Sequence, residues 1–143
     1  MEINPALEAQ VGAWAEAQLS PERVTHVRGV VTTAARLAAR YAPQETSRVR
    51  LAAWIHDVAK DWDDARLLAY AEAQHLPITP TEREVPLLLH GAVSYALAAE
   101  RFDLDDPLLR DEMAAAGPER AARFSWQRAA RETLSVYRSI MQP

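Results

Sequence analysis

At 143 residues the chain has the size of one domain, long enough to bury a core without disulfide or metal staples. It contains no cysteine, which excludes a disulfide framework, a thiolate metal site and a cysteine nucleophile. The net charge of −4 comes from interspersed acidic and basic residues, so the balance points neither to nucleic acid nor to an anionic membrane surface.

Four glycines, abundant Ala, Leu, Arg and Glu, and no sustained β-branched alternation predict an all-α domain of about six to seven helices. Asn4-Pro5 reads as an N-cap followed by proline at the first helical position, opening a helix to about Leu19. Ser20-Pro21 repeats the signal and opens a second helix to about Tyr41, which Pro43 stops. A third helix is predicted from Glu45 to Ala59, and the run Asp61-Trp-Asp-Asp64 caps a short fourth ending before His75-Leu-Pro77. Thr79-Pro80 starts a brief helical turn, and Pro86 resets the chain into a helix through Phe102. Asp106-Pro107 opens another, closed at Gly117-Pro118, and Ser125 caps a last helix from Trp126 to Met141. The start, Met1-Glu-Ile-Asn-Pro5, lacks the basic and apolar regions of a signal peptide, and no apolar run is long enough to span a membrane. A soluble cytoplasmic protein is the expectation.

The chemistry centres on Leu51-Ala-Ala-Trp-Ile-His-Asp-Val-Ala-Lys60-Asp61. Val49, Ala52, Ala53 and His56 recur at the spacing of one inward helical face. An imidazole and a carboxylate set side by side on such a face are costly unless each finds a partner, and a divalent cation satisfies both. His26 shares a face with Val30, Ala34 and Leu37, and His90 with Leu87, Val93 and Leu97, so both are expected to point inward. His26, His56, Asp57 and His90 thus form a candidate ligand set of nitrogen and oxygen donors, suited to Fe, Mn, Co, Ni or Zn. Taken singly, His26 or His90 reads more readily as a core residue bonded to a backbone carbonyl than as a ligand. His75 reads as a surface residue. Lys60 and Asp61, one turn beyond, read either as a solvated helix end or as a phosphate-binding pair.

Three phrases in series, Arg23-Val-Thr-His26-Val-Arg-Gly-Val30, Ala53-Trp-Ile-His56-Asp57-Val-Ala-Lys60-Asp61 and Leu88-Leu-His90-Gly-Ala-Val93, resemble the HD-domain metal-dependent phosphohydrolases. Within them the chain is most similar to the YqeK-like group, which includes symmetrical diadenosine tetraphosphate hydrolases. The resemblance covers about residues 13–107. It implies that His26, His56 and Asp57 hold one metal, and that Asp57 bridges to a second held by His90. It further implies hydrolysis of phosphate esters or anhydrides by a metal-activated water, with iron as the metal of the YqeK-like members. Lys60 would stabilise the phosphate or leaving group, with Asp61 as its orienting neighbour. The expected partner is a phosphorylated small molecule.

The family pattern also has a fourth histidine and a late aspartate, and neither of their phrases occurs here. No histidine follows His90, and Asp103, Asp105 and Asp106 are the acidic candidates after it. A homodimer could lend only carboxylates or His75. Instead, Asp106-Pro-Leu-Leu-Arg-Asp-Glu-Met-Ala-Ala-Ala-Gly117, Arg120-Ala-Ala-Arg-Phe-Ser-Trp126 and Ala130-Arg-Glu-Thr-Leu-Ser-Val-Tyr-Arg138 resemble the C-terminal helices of GT-B glycosyltransferases. The reading is one helical domain over 1–143: an HD-like portion over 1–104 joined to a tail over 105–143 that packs on it, as a fusion or chimera would. The alternative is a catalytically inactive helical fold with a partial metal site or none.

Overall fold

The computed structural model describes residues 3–104, and all the regular structure among them is helical. Six α-helices follow in order: α1 (Pro5–Ala17), α2 (Pro21–Tyr41), α3 (Thr46–Ile55), α4 (Asp64–Ala73), α5 (Pro80–Glu84) and α6 (His90–Phe102). Two 3₁₀ turns, Pro43–Glu45 and Pro86–Leu89, lead into α3 and α6. The helices expected between Asp106 and Met141, and the composite tail over 105–143, lie outside the described residues.

The capping residues read from sequence act as caps. Asn4 Oδ1 accepts from the Leu7 N–H at 2.8 Å, Ser20 Oγ from that of Arg23 at 3.3 Å, and Asp63 Oδ1 from that of Arg66 at 2.8 Å. Each satisfies a donor that the first helical turn leaves without an intrahelical acceptor. Thr79 and Glu82 form a reciprocal capping box that fixes the short α5.

The central α3 packs chiefly against α1 and α2. Leu51 and Ile55 join Val11, Tyr95, Ala98 and Leu104 in one apolar cluster, while Ala53 joins Val27 and Val31 in another. A third cluster, Ala59, Leu67, Ala71, Leu89 and Val93, ties the chain after α3 to α4 and α6. Gly12 lets α1 close on α3, because a Cβ there would stand 3.1 Å from the Trp54 ring. Among the described residues no helix is long and apolar enough to cross a membrane.

Three expectations are corrected. The third helix ends at Ile55, not Ala59. In an unbroken helix the Ala59 N–H would bond to the Ile55 carbonyl. It instead donates to Ser94 Oγ at 2.9 Å, and the Ile55 carbonyl accepts from Val58. His56-Asp57 therefore sits in a run of tight turns, stitched by Lys60 N–H to Asp57 O and Trp62 N–H to Ala59 O. Likewise, Pro86 opens a 3₁₀ turn and α6 begins only at His90. Lastly, the buried stripe of α2 is Val27, Val31 and Ala38, one position round from the expected face, leaving Leu37 54% exposed and His26 exposed.

Candidate metal centre

Three segments meet at one carboxylate. Asp57 is 5% exposed, held in the turn between α3 and α4. Its Oδ2 lies 3.6 Å from His26 Nε2 on α2 and 3.5 Å from the Nε2 of its neighbour His56. Its Oδ1 lies 3.5 Å from His90 Nε2, at the first turn of α6. Ligand atoms of His26, His56 and Asp57 all fall within 4.8 Å of one another, and the His26 and His56 rings stand 5.8 Å apart, centroid to centroid.

These separations are too long for good hydrogen bonds. They suit co-ligands better: two atoms each about 2.1 Å from a shared ion, at tetrahedral or octahedral angles, lie about 3.0–3.4 Å apart. A small contraction brings this set onto an ion.

The far side of two rings fixes their chemistry. His56 Nδ1 lies 2.7 Å from the Ala53 carbonyl, and His90 Nδ1 lies 2.6 Å from the Leu87 carbonyl. A carbonyl only accepts, so each Nδ1 carries a proton, and the neutral ring then presents its Nε2 lone pair towards Asp57. The device is the same in both places. A histidine just where one helix ends or another begins folds back on the carbonyl three residues earlier, and backbone carbonyls are usual orienting partners of metal-binding histidines. The histidines stand out in the sequence by type and spacing, whereas the carbonyl each ring meets is decided only by the fold.

The histidines line a rim rather than a buried core. The side chains of His26, His56 and His90 are 53%, 31% and 23% exposed, around an Asp57 side chain that is 7% exposed. This corrects the inward placement expected of His26. It turns outward on α2, and its ring reaches across to the carboxylate. Leu87, expected on a buried face with His90, is 40% exposed. A rim of this kind leaves room for a further ligand.

Burial pushes the Asp57 carboxyl up, but the hydrogen-bonding contact with His90, the cationic forms of His56 and His90, and the Arg23 guanidinium outweigh it and hold the group below its ordinary value. The site therefore favours the anion a cation needs. Arg23, one turn before His26 on α2, places Nη1 3.6 Å from Asp57 Oδ2 and hydrogen-bonds through Nη2 to Asp61 Oδ1 at 2.7 Å. Asp61, expected to orient Lys60, is thus paired with Arg23. Lys60 is half-buried beside the centre, with its backbone N–H on the Asp57 carbonyl. His75 is exposed at the end of α4 with φ 53°, and Asp103 is the left-handed C-cap of α6.

A sequence model of the HD domain matches residues 23–136. The chain belongs to the HD-domain family. The match begins at Arg23, spans every residue of the cluster, and continues past the point where the tail was read as foreign. No curated protein and no solved structure matches the chain.

Proposed function

We propose that this HD-domain protein is a metal-dependent phosphohydrolase acting on a nucleotide or another phosphorylated small molecule. One observation carries the reading. Three imidazole Nε2 atoms face the two oxygens of one buried aspartate, and two of them have their tautomer fixed by backbone carbonyls.

His26, His56 and Asp57 would hold one ion, with His90 on the opposite Asp57 oxygen placed for a second. Such ions supply Lewis acidity, offsetting charge on phosphoryl oxygens and acidifying water. The protein does the rest. The Ala53 and Leu87 carbonyls fix the Nδ1–H tautomer of two rings and aim their Nε2 atoms, and the buried turn keeps Asp57 in place between the two histidine sides. Lys60 would meet the phosphate or the leaving oxygen. By its resemblance to the YqeK-like group, the first substrate to try is diadenosine tetraphosphate, with iron as the first metal.

The second reading, a helical module without turnover, draws on the absence of any histidine after His90. Hydrolysis of diadenosine tetraphosphate and of simple nucleotides, assayed with Fe²⁺ or Mn²⁺ and again after chelation, separates the two. Turnover that disappears with chelator and with Asp57→Ala supports the hydrolase. Turnover that survives either change contradicts the mechanism, and no turnover on any substrate favours the module.

A further inference from the structure

The metal centre makes no use of a cavity of about 830 Å³ that opens between α1, α4 and α6. Buried Val58 and half-buried Leu97 give it an apolar wall, and Trp14, Trp62 and Tyr70 bring three aromatic rings to it. Leu97 and Arg101 line it seven and eleven residues beyond His90, which places them about 10 and about 16 Å further along α6. We propose that this cavity is a second ligand site, which takes a planar aromatic anion of the nucleoside monophosphate class. It needs no metal, so it stands apart from the phosphohydrolase reading.

The face of Trp62 already carries a flat group, because the Arg66 guanidinium lies 3.5 Å over the ring centroid. Tyr70 meets the same Trp62 ring edge-on, with centroids 5.7 Å apart and an interplanar angle of 84°, and so braces it. A nucleobase is flat too, and its π-face stacks on such a ring whatever the base. The base would take the place of Arg66 on Trp62. Charge selects the rest of the ligand. Arg66, Glu100 and Arg101 are the charged residues lining the cavity, two cations against one anion. Glu100 accepts the Tyr70 hydroxyl at 3.3 Å. Burial and the Glu100 charge push the Tyr70 phenol up to about 12, so it remains a donor to Glu100 at neutral pH. Both guanidiniums lie on exposed residues, and among the described residues neither has a carboxylate partner. Each is thus available to a phosphate, which a guanidinium grips through two parallel hydrogen bonds. A cationic ligand would meet the same two positive groups and be repelled.

The test is calorimetric titration of the full chain with AMP in excess EDTA, which empties the metal centre and leaves this cavity as it is. Adenosine and ribose 5-phosphate, titrated alongside, separate the base from the phosphate. The expected result is one AMP per chain, with adenosine and ribose 5-phosphate each bound at least about 10-fold more weakly. Trp62→Leu should weaken AMP and adenosine alike by about 10-fold or more. Arg101→Gln should weaken AMP and leave adenosine unchanged. Arg101 is exposed, so its variant carries the test if Trp62→Leu does not fold. AMP affinity equal to wild type in both variants overturns the proposal. Binding that appears only when Mn²⁺ replaces EDTA also overturns it and assigns the nucleotide to the metal centre. Absence of AMP binding, with dimers in sedimentation that Trp62→Leu dissociates, overturns it in favour of a second copy of the chain on this face.

Discussion

Ser94, on α6, accepts a hydrogen bond from the backbone N–H of Ala59 at 2.9 Å, and both residues are fully buried. Through it α6, which begins with His90, grips the turn that carries Asp57. Replacing Ser94 by alanine leaves that N–H without its acceptor, and a buried orphan donor costs about 1–3 kcal/mol. Ser94→Ala is expected to lower stability by that amount in urea melts. It should also weaken metal binding, because the Asp57 turn and His90 lose their shared tether. A variant as stable as wild type would show that the turn is held by other means.

Two helical glycines should respond oppositely to substitution. At Gly12 a Cβ meets the Trp54 ring at 3.1 Å, so a valine's extra carbons must push α1 off α3, at a cost of about 1–3 kcal/mol. At Gly29, inside α2, an added Cβ has nothing within 4 Å, and alanine should stabilise by about 0.5–1 kcal/mol. Thermal melts of Gly12→Val and Gly29→Ala check both signs.

Glu8 on α1 pairs with Arg50 on α3, with Glu8 Oε1 2.8 Å from Arg50 Nε. The Arg50 hydrogen bond holds the Glu8 carboxyl below 4.5, against the upward push of burial, and the Trp54 contact adds to the lowering. A depressed carboxyl stabilises the fold above its unfolded pKa, and the benefit is lost as pH falls through the folded value. Stability should thus decline as pH drops below about 4.5. Glu8→Gln should be less stable at pH 7, and its stability should fall less steeply on acidification. Denaturant melts of both proteins across pH 3–7 measure the difference.

Much of this fold is legible in the chain because its helix starts are announced by side chains acting locally. Asn4, Ser20, Asp63 and Thr79 each bond a backbone N–H about three residues on, and such signals need no tertiary context. Where helices stop is different. Nothing near Ile55 marks the end of α3, because the break depends on Ser94, thirty-five residues beyond the Ala59 whose N–H it accepts. The site shows the same division. The His-Asp pair and the flanking histidines stand out by type and spacing, whereas the outward turn of His26 and the Arg23–Asp61 pair emerge only when α2 is laid beside the Asp57 turn. Periodicity put Leu37 on the inner face of α2, but the helix's actual neighbours cover the Val27 and Val31 stripe instead.

The central claim is that His26, His56, Asp57 and His90 share a bound cation. Calorimetric titration of the metal-free protein with Mn²⁺ or Fe²⁺, beside Asp57→Asn shown by circular dichroism to keep its helices, addresses it most directly. The expected result is one or two ions per chain for the wild type and a loss of at least about 100-fold in affinity for the variant, beyond what disturbing an orienting partner costs. Absence of uptake by the wild type, or equal uptake by Asp57→Asn, would contradict the account.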